Sequence, residues 1–225
     1  PCEHSFPTRR SSDLVASGKC RIALVTQGAR VRGIVRGPKL APDTPEYAFE
    51  APYGETNLGI YALAARRHMH EYGTTARQMA EVKAAASFHA QFNPNAMLRK
   101  PVTLEEVLAS PFVADPLRRM DCCVVTDGGG AVIVTTPEIA AGLQRQSVDI
   151  LGHGEAIKHT MGGRLDMTYT AAVWSGPAAF EEAAVTPADI DYASIYDSFT
   201  ITVLMTLEVL GSCQKGQGGG FAADG

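Results

Sequence analysis

The chain has 225 residues, 45% of them hydrophobic and 20% charged, with 22 glycines and 13 prolines, the balance of a folded α/β protein and not of a disordered one. Twenty basic against 24 acidic side chains give a net charge of -4 without a dense Lys/Arg block, so nucleic acid is not an expected partner. The longest apolar runs, such as residues 201–210, are broken by Thr and Glu and fall short of the ~20 residues of a membrane span.

Residues 1–14 read unlike the rest. The string from His4 through Arg9-Arg10-Ser11-Ser12-Asp13-Leu14 matches one reading frame of a common sequencing-library adapter, and it is set aside as an expected artefact. It has no apolar core of the kind a secretory signal carries. Cys2 leaves with it, and Cys20, Cys122, Cys123 and Cys213 remain. Adjacent strand thiols point to opposite faces, so the Cys122-Cys123 pair cannot direct both to one metal, and no zinc spacing is present. Reduced thiols in a cytoplasmic protein are the expectation.

Arg21-Ile22-Ala23-Leu24-Val25-Thr26 suits a buried strand, and residues 43–57, with Pro45 and Pro52, suit a loop. Residues 59–72 predict a helix stopped by Gly73. Thr75-Ala76-Arg77-Gln78 is a capping-box pattern opening a second helix through Met79, Val82, Ala86 and Ala90. Thr103-Leu104-Glu105-Glu106 repeats that logic for a short third. Two β-rich runs, 122–126 and 131–135, bracket Asp127-Gly128-Gly129-Gly130, which predicts a tight turn; the turn lacks the Lys-Ser/Thr of a phosphate loop. Thr136-Pro137 caps a further helix. Residues 148–153 and 192–196 are expected strands, 171–184 and 199–210 helices, the latter ended by Gly211, and the Gly-rich tail has no expected element.

The histidines offer no chelating pair. His68 and His70 are two apart on a helix and are expected at the surface, while His89, His153 and His159 stand isolated. Glu105-Glu106 and Glu181-Glu182 read as solvated helix faces. Tyr196-Asp197-Ser198-Phe199 is different, because polar residues where a strand ends and a helix begins are where open α/β sheets hold ligands. On pattern alone it competes with an ordinary helix cap by Asp197 or Ser198.

Four segments in order carry a family resemblance that covers nearly everything from Val15 onward. The run from Ala62 through Arg66-Arg67-His68-Met69-His70-Glu71-Tyr72-Gly73 to Asn93-Pro94-Asn95-Ala96, the stretch Asp121 to Ala131, the block Glu181 to Asp191, and Tyr196-Asp197-Ser198-Phe199 together resemble thiolases of the sterol-carrier-protein and lipid-transfer type. The resemblance implies part of a five-layer αβαβα α/β fold. Residues 15–40 would close the N-terminal half, 41–120 form a helical loop domain, 121–147 supply the last strands and helix of that half, and 148–225 begin the C-terminal half.

It also implies an acyl-CoA substrate, coenzyme A as substrate or product with no permanently bound cofactor, and a homodimer or higher oligomer. The family's nucleophilic cysteine would precede Val15, and its Gly-His-Pro histidine and later cysteine would follow Gly225, so the 225 residues are expected to be an inactive interior portion. The resemblance transfers Asn57, Leu58, Cys123 and Phe199 to substrate and CoA binding, and Tyr196 to catalysis. Tyr196 stands where these enzymes usually place an Asn or His of an oxyanion hole. The first function implied is an acyl-CoA acyltransferase acting on C–C bonds of 3-oxoacyl-CoA. Tyr196 leaves two others open: a thiolase-like aldolase of a β-hydroxyacyl-CoA, working with a small OB-fold partner, and a non-catalytic scaffold portion.

Overall fold

A computed structural model describes residues 8–30, 47–50, 57–158 and 166–224. The helices are α1 (Thr8–Ala16), α2 (Tyr47–Glu50), α3 (Asn57–Tyr72), α4 (Ala76–Ala90), α5 (Leu104–Ala109), α6 (Pro137–Ala140), α7 (Ala172–Ala183), α8 (Thr200–Val209) and α9 (Gly218–Asp224). The strands are β1 (Ile22–Ala29), β2 (Phe112–Ala114), β3 (Leu117–Arg118) and β4 (Gly128–Thr135). The expected 43–57 loop lies mostly outside the described residues, as does His159.

Local chemistry sets the helix ends. Thr75 accepts the Gln78 N–H at 3.2 Å while the Gln78 side chain accepts the Thr75 N–H at 2.8 Å, closing the capping box that opens α4. Thr103 and Glu106 do the same for α5, at 3.2 and 2.8 Å. Gly73 and Gly211 take φ of +72° and +81°, which explains why α3 and α8 stop there. Pro177 lies within α7, where it withholds one backbone donor.

The core joins α3, α4 and α8. Ala65, Met79, Leu117, Ile201 and Leu204 are fully enclosed, with Ala62, Val82, Phe199 and Met205 around them. α3 contributes the small residues Ala62 and Ala65 to this core, and Ile201, Leu204 and Met205 of α8 supply its larger side chains. That packing outweighs the weak helix propensity of Ile201, Thr202 and Val203.

Several expectations are corrected. Gly128, Gly129 and Gly130 are not a turn; they begin β4, antiparallel to β1 with Gly129 opposite Gly28 and Gly130 opposite Gln27. A Cβ on Gly129 would stand 3.0 Å from the Gln27 carbonyl oxygen, so the absent side chain serves close strand approach at that position, whereas Gly128 and Gly130 have open space. Among the described residues the 122–126 stretch forms no ladder: Cys122 bridges Phe199 and the Cys123 N–H meets the Ser198 carbonyl, while β4 alone pairs with β1. Residues 148–153 and 192–196 form no strand and have no ladder partner among the described residues, and Val148 and Tyr192 are 90% and 83% exposed. β1 itself belongs to a two-stranded sheet and leaves Ile22 and Leu24 exposed, not buried. The tail folds into α9 against α4 and α8, because Gly218 and Gly219 permit close contact.

Two histidine expectations also fail. His68 is fully buried, since a carboxylate on α8 reaches its ring. His153 is not isolated: its Nδ1 lies 2.6 Å from Glu182 Oε2 and its Nε2 3.3 Å from Asp13 Oδ1, so Glu182 is not merely solvated.

Candidate active site at the start of α8

The residues of interest converge where α8 begins. Phe199 occupies the N-cap position with extended backbone (φ -148°, ψ 157°) and offers no side-chain acceptor to the helix amides. The start of α8 is therefore held from outside. Asp121, buried at the end of the 3₁₀ turn Arg119–Asp121, accepts the Thr200 hydroxyl at 2.7 Å through Oδ1 and the Arg118 N–H at 2.8 Å through Oδ2. The Cys123 N–H donates to the Ser198 carbonyl at 3.1 Å, and the Ser198 and Thr202 hydroxyls are 2.9 Å apart.

Phe199 turns inward and stacks on Tyr61 of α3 with ring centroids 4.5 Å apart. Leu58, one turn earlier on α3, packs against the same core. Beside these contacts a small cleft of about 50 Å³ opens between α4 and the 120–124 segment, lined in part by Lys83, Ala86, Asp121, Cys123, Asp197 and Thr200. Cys123 is exposed at this cleft. Burial, together with the Asp121 and Cys123 charges, pushes the neighbouring Cys122 thiol up to about 11, which leaves it a poor nucleophile near neutrality.

Of the residues singled out in the sequence, Phe199 and Cys123 are thus brought together at the start of α8, and Leu58 packs against the core to which Phe199 belongs. Asn57 is exposed at the first position of α3. Tyr196 is 65% exposed on the segment leading into α8, next to the cleft-lining Asp197. Tyr61, Asp121 and Thr200 were not legible as site residues, since each matters only through a partner distant in sequence.

A second polar cluster lies toward the other end of α8. Glu208, the one charged residue of α8, is buried, and its Oε2 is 2.9 Å from His68 Nε2 and 3.0 Å from Lys215 Nζ. The Gly218 N–H donates to Oε1 at 3.1 Å. Because the ionised carboxylate only accepts, His68 Nε2 is the donor, and its Nδ1 meets the Thr74 hydroxyl at 2.7 Å. Burial alone would raise the Glu208 carboxyl, but the His68 and Lys215 bonds outweigh it and hold the group down to about 2. A lone Glu within an apolar helical run was the available signal for this cluster. Among the described residues no helix is long and apolar enough to cross a membrane.

Comparison with known proteins bears on the family and the fold. The family described as "Thiolase C-terminal domain-like" matches residues 154–225. An acetyl-CoA acetyltransferase of Methanothermobacter thermautotrophicus is 36% identical over 217 residues, covering 94% of this chain and 56% of the relative. A steroid side-chain-cleaving aldolase of Thermomonospora curvata is 35% identical, covering 81% of this chain and 49% of the relative. Among solved structures, an Ltp2-ChsH2(DUF35) aldolase superposes with a TM-score of 0.86 at 32% identity, covering 97% of this chain and 59% of that one. The chain spans about half the length of the curated relatives it matches. The order of the matched segments, the α/β architecture and these likenesses together make the chain a member of the thiolase superfamily, with part of the thiolase fold.

Proposed function

We propose that this chain is part of an enzyme that cleaves a carbon–carbon bond of an acyl-CoA, and that Tyr196 moves the proton in retro-aldol cleavage of a β-hydroxyacyl-CoA. The observation that carries this reading is the Tyr196 side chain, exposed on the segment that enters α8; the sequence resemblance aligns it with the Asn or His that thiolases usually carry. In retro-aldol cleavage a base removes the β-hydroxyl proton and the β-carbon becomes a carbonyl. The Cα–Cβ electron pair moves to the thioester enolate, which then takes a proton at Cα. For the protons to balance Tyr196 enters the cycle as its phenolate: the oxygen takes the β-hydroxyl proton, becomes the phenol, and gives that proton to the enolate at Cα, so a single group closes the cycle. Backbone or side-chain donors at the thioester oxygen would stabilise the enolate.

Coenzyme A enters and leaves as part of substrate and product. Leu58, Cys123 and Phe199 would line its path, with Asn57 at the rim. The likeness to an Ltp2-ChsH2(DUF35) aldolase supports a partner protein for this chain also, for which the sequence resemblance implies a small OB fold. The domain division given above, with 41–120 as the helical loop domain, belongs to the same proposal.

A second reading, acyl transfer from 3-oxoacyl-CoA through a cysteine thiolate, is favoured by the 36% identity to an archaeal acetyl-CoA acetyltransferase over 94% of this chain. The two separate by substrate. In the intact enzyme, release of a carbonyl product from β-hydroxyacyl-CoA without added free CoA supports the aldolase, with Tyr196→Phe lowering kcat by about a hundredfold or more. CoA-dependent cleavage of 3-oxoacyl-CoA through an acyl-cysteine, with Tyr196→Phe fully active, would replace it by the acyltransferase.

A further inference from the structure

The Asp121 carboxylate is nearly inaccessible, and both of its oxygens are occupied: one by the Arg118 N–H of its own turn, the other by the Thr200 hydroxyl. Thr200 is the first residue of α8, a helix whose N-cap is a phenylalanine unable to satisfy the opening amides. The bond therefore spans two structural units and joins positions 79 apart. Around it the backbone pairs briefly: Cys122 bridges Phe199, and the Cys123 N–H meets the Ser198 carbonyl. The segment carrying Tyr196 and Asp197 thus enters α8 through a junction whose buried ionic anchor is Asp121.

We propose that Asp121 is a positioning residue of the candidate site. By accepting the Thr200 hydroxyl it sets the direction in which residues 196–199 leave the cleft, and so where the Tyr196 phenol stands. This inference rests on the reading of Tyr196 as the proton-transfer group. Its chemistry is specific: Thr200 contributes a hydroxyl hydrogen, and a residue of the same shape without one leaves a buried carboxylate short of a donor. Asp121 touches no reacting atom; it acts through Thr200.

The test uses Thr200→Val, Thr200→Ser and Asp121→Asn in the intact enzyme, with two readouts. Exchange of the Cys123 amide hydrogen reports the 123–198 pairing independently of any turnover, while kcat and KM with β-hydroxyacyl-CoA report the site. Thr200→Val is expected to speed Cys123 exchange at least tenfold relative to core amides such as Leu204, and to lower kcat at least tenfold with KM changed less than threefold. Thr200→Ser should restore both, and Asp121→Asn should fall between. Equal acceleration of all core amides, or unchanged kcat in Thr200→Val, overturns the positioning role. If Cys123 exchange responds as expected while Tyr196→Phe turns over like the unmodified enzyme, the anchor stands and the reading of Tyr196 falls, taking the catalytic meaning of the anchor with it.

Discussion

His68 Nε2 and Glu208 Oε2, 140 positions apart, meet at 2.9 Å inside the protein, with both side chains closed off from solvent. This bond ties α3 to α8, and Lys215 and the Gly218 amide extend it to the segment entering α9. A buried carboxylate with this many donors is stabilised where it is, yet removing its charge strands the donors. Glu208→Gln is expected to destabilise the protein by about 3 kcal/mol in denaturant titration. A loss under about 0.5 kcal/mol, the range of ordinary surface changes, would show that the cluster is not a structural anchor.

The same carboxylate gives stability a defined acid limb. Its folded pKa, about 2, lies below the ordinary 4.5, so the unfolded chain binds more protons across that interval. The contribution of Glu208 is fully present above about pH 5 and disappears as pH falls through the folded value, amounting to about 3 kcal/mol. Denaturation midpoints measured from pH 6 down to pH 3 should decline, and the decline should be shallower in Glu208→Gln. Parallel curves for the two proteins would assign the acid limb to other groups.

The two adjacent cysteines should differ in reactivity. With its thiol pushed up to about 11, Cys122 has only about one thiolate in a thousand at pH 8. Cys123 is exposed at the cleft. Mass spectrometry after brief treatment with iodoacetamide should find the label on Cys123 well before Cys122. Comparable labelling of both would contradict the burial assigned to Cys122.

Gly218 is close-packed, because a Cβ there would stand 2.8 Å from the Leu204 carbonyl oxygen and 2.9 Å from Glu208 Oε1. Gly218→Ala should therefore loosen α9 and cost about 1–3 kcal/mol. Gly220 has open space at the same position, and Gly220→Ala should be neutral or slightly stabilising. Thermal melts of the pair provide the check, and equal effects would mean that α9 does not pack as described.

Thr75→Ala removes half of a reciprocal cap and should cost about 1 kcal/mol by the same melts. Thr75→Ser should recover most of it. If Thr75→Ala were silent, α4 would owe its start to packing of Met79 and Val82 alone.

Local chemistry was readable from residues alone. Thr75 with Gln78, Thr103 with Glu106, and the stops at Gly73 and Gly211 each act within a few positions, so their patterns foretold the helix ends. The ordered segments from Ala62 to Phe199 likewise sufficed to indicate the superfamily. Pairing over distance was not readable. Whether Gly128–Gly130 turns or runs extended depends on β1, about a hundred residues earlier, and residues 148–153 need a partner that their own pattern cannot supply. His68 was expected at the surface because it stands two positions from His70 on one helix and so forms no chelating pair, while its carboxylate partner, Glu208, lies on α8. The same holds at the candidate site. Tyr196 was visible as a chemical departure, but only the folded chain brings Asp121 to Thr200 and Tyr61 to Phe199, since a hydrogen bond or ring contact is decided by distance in space.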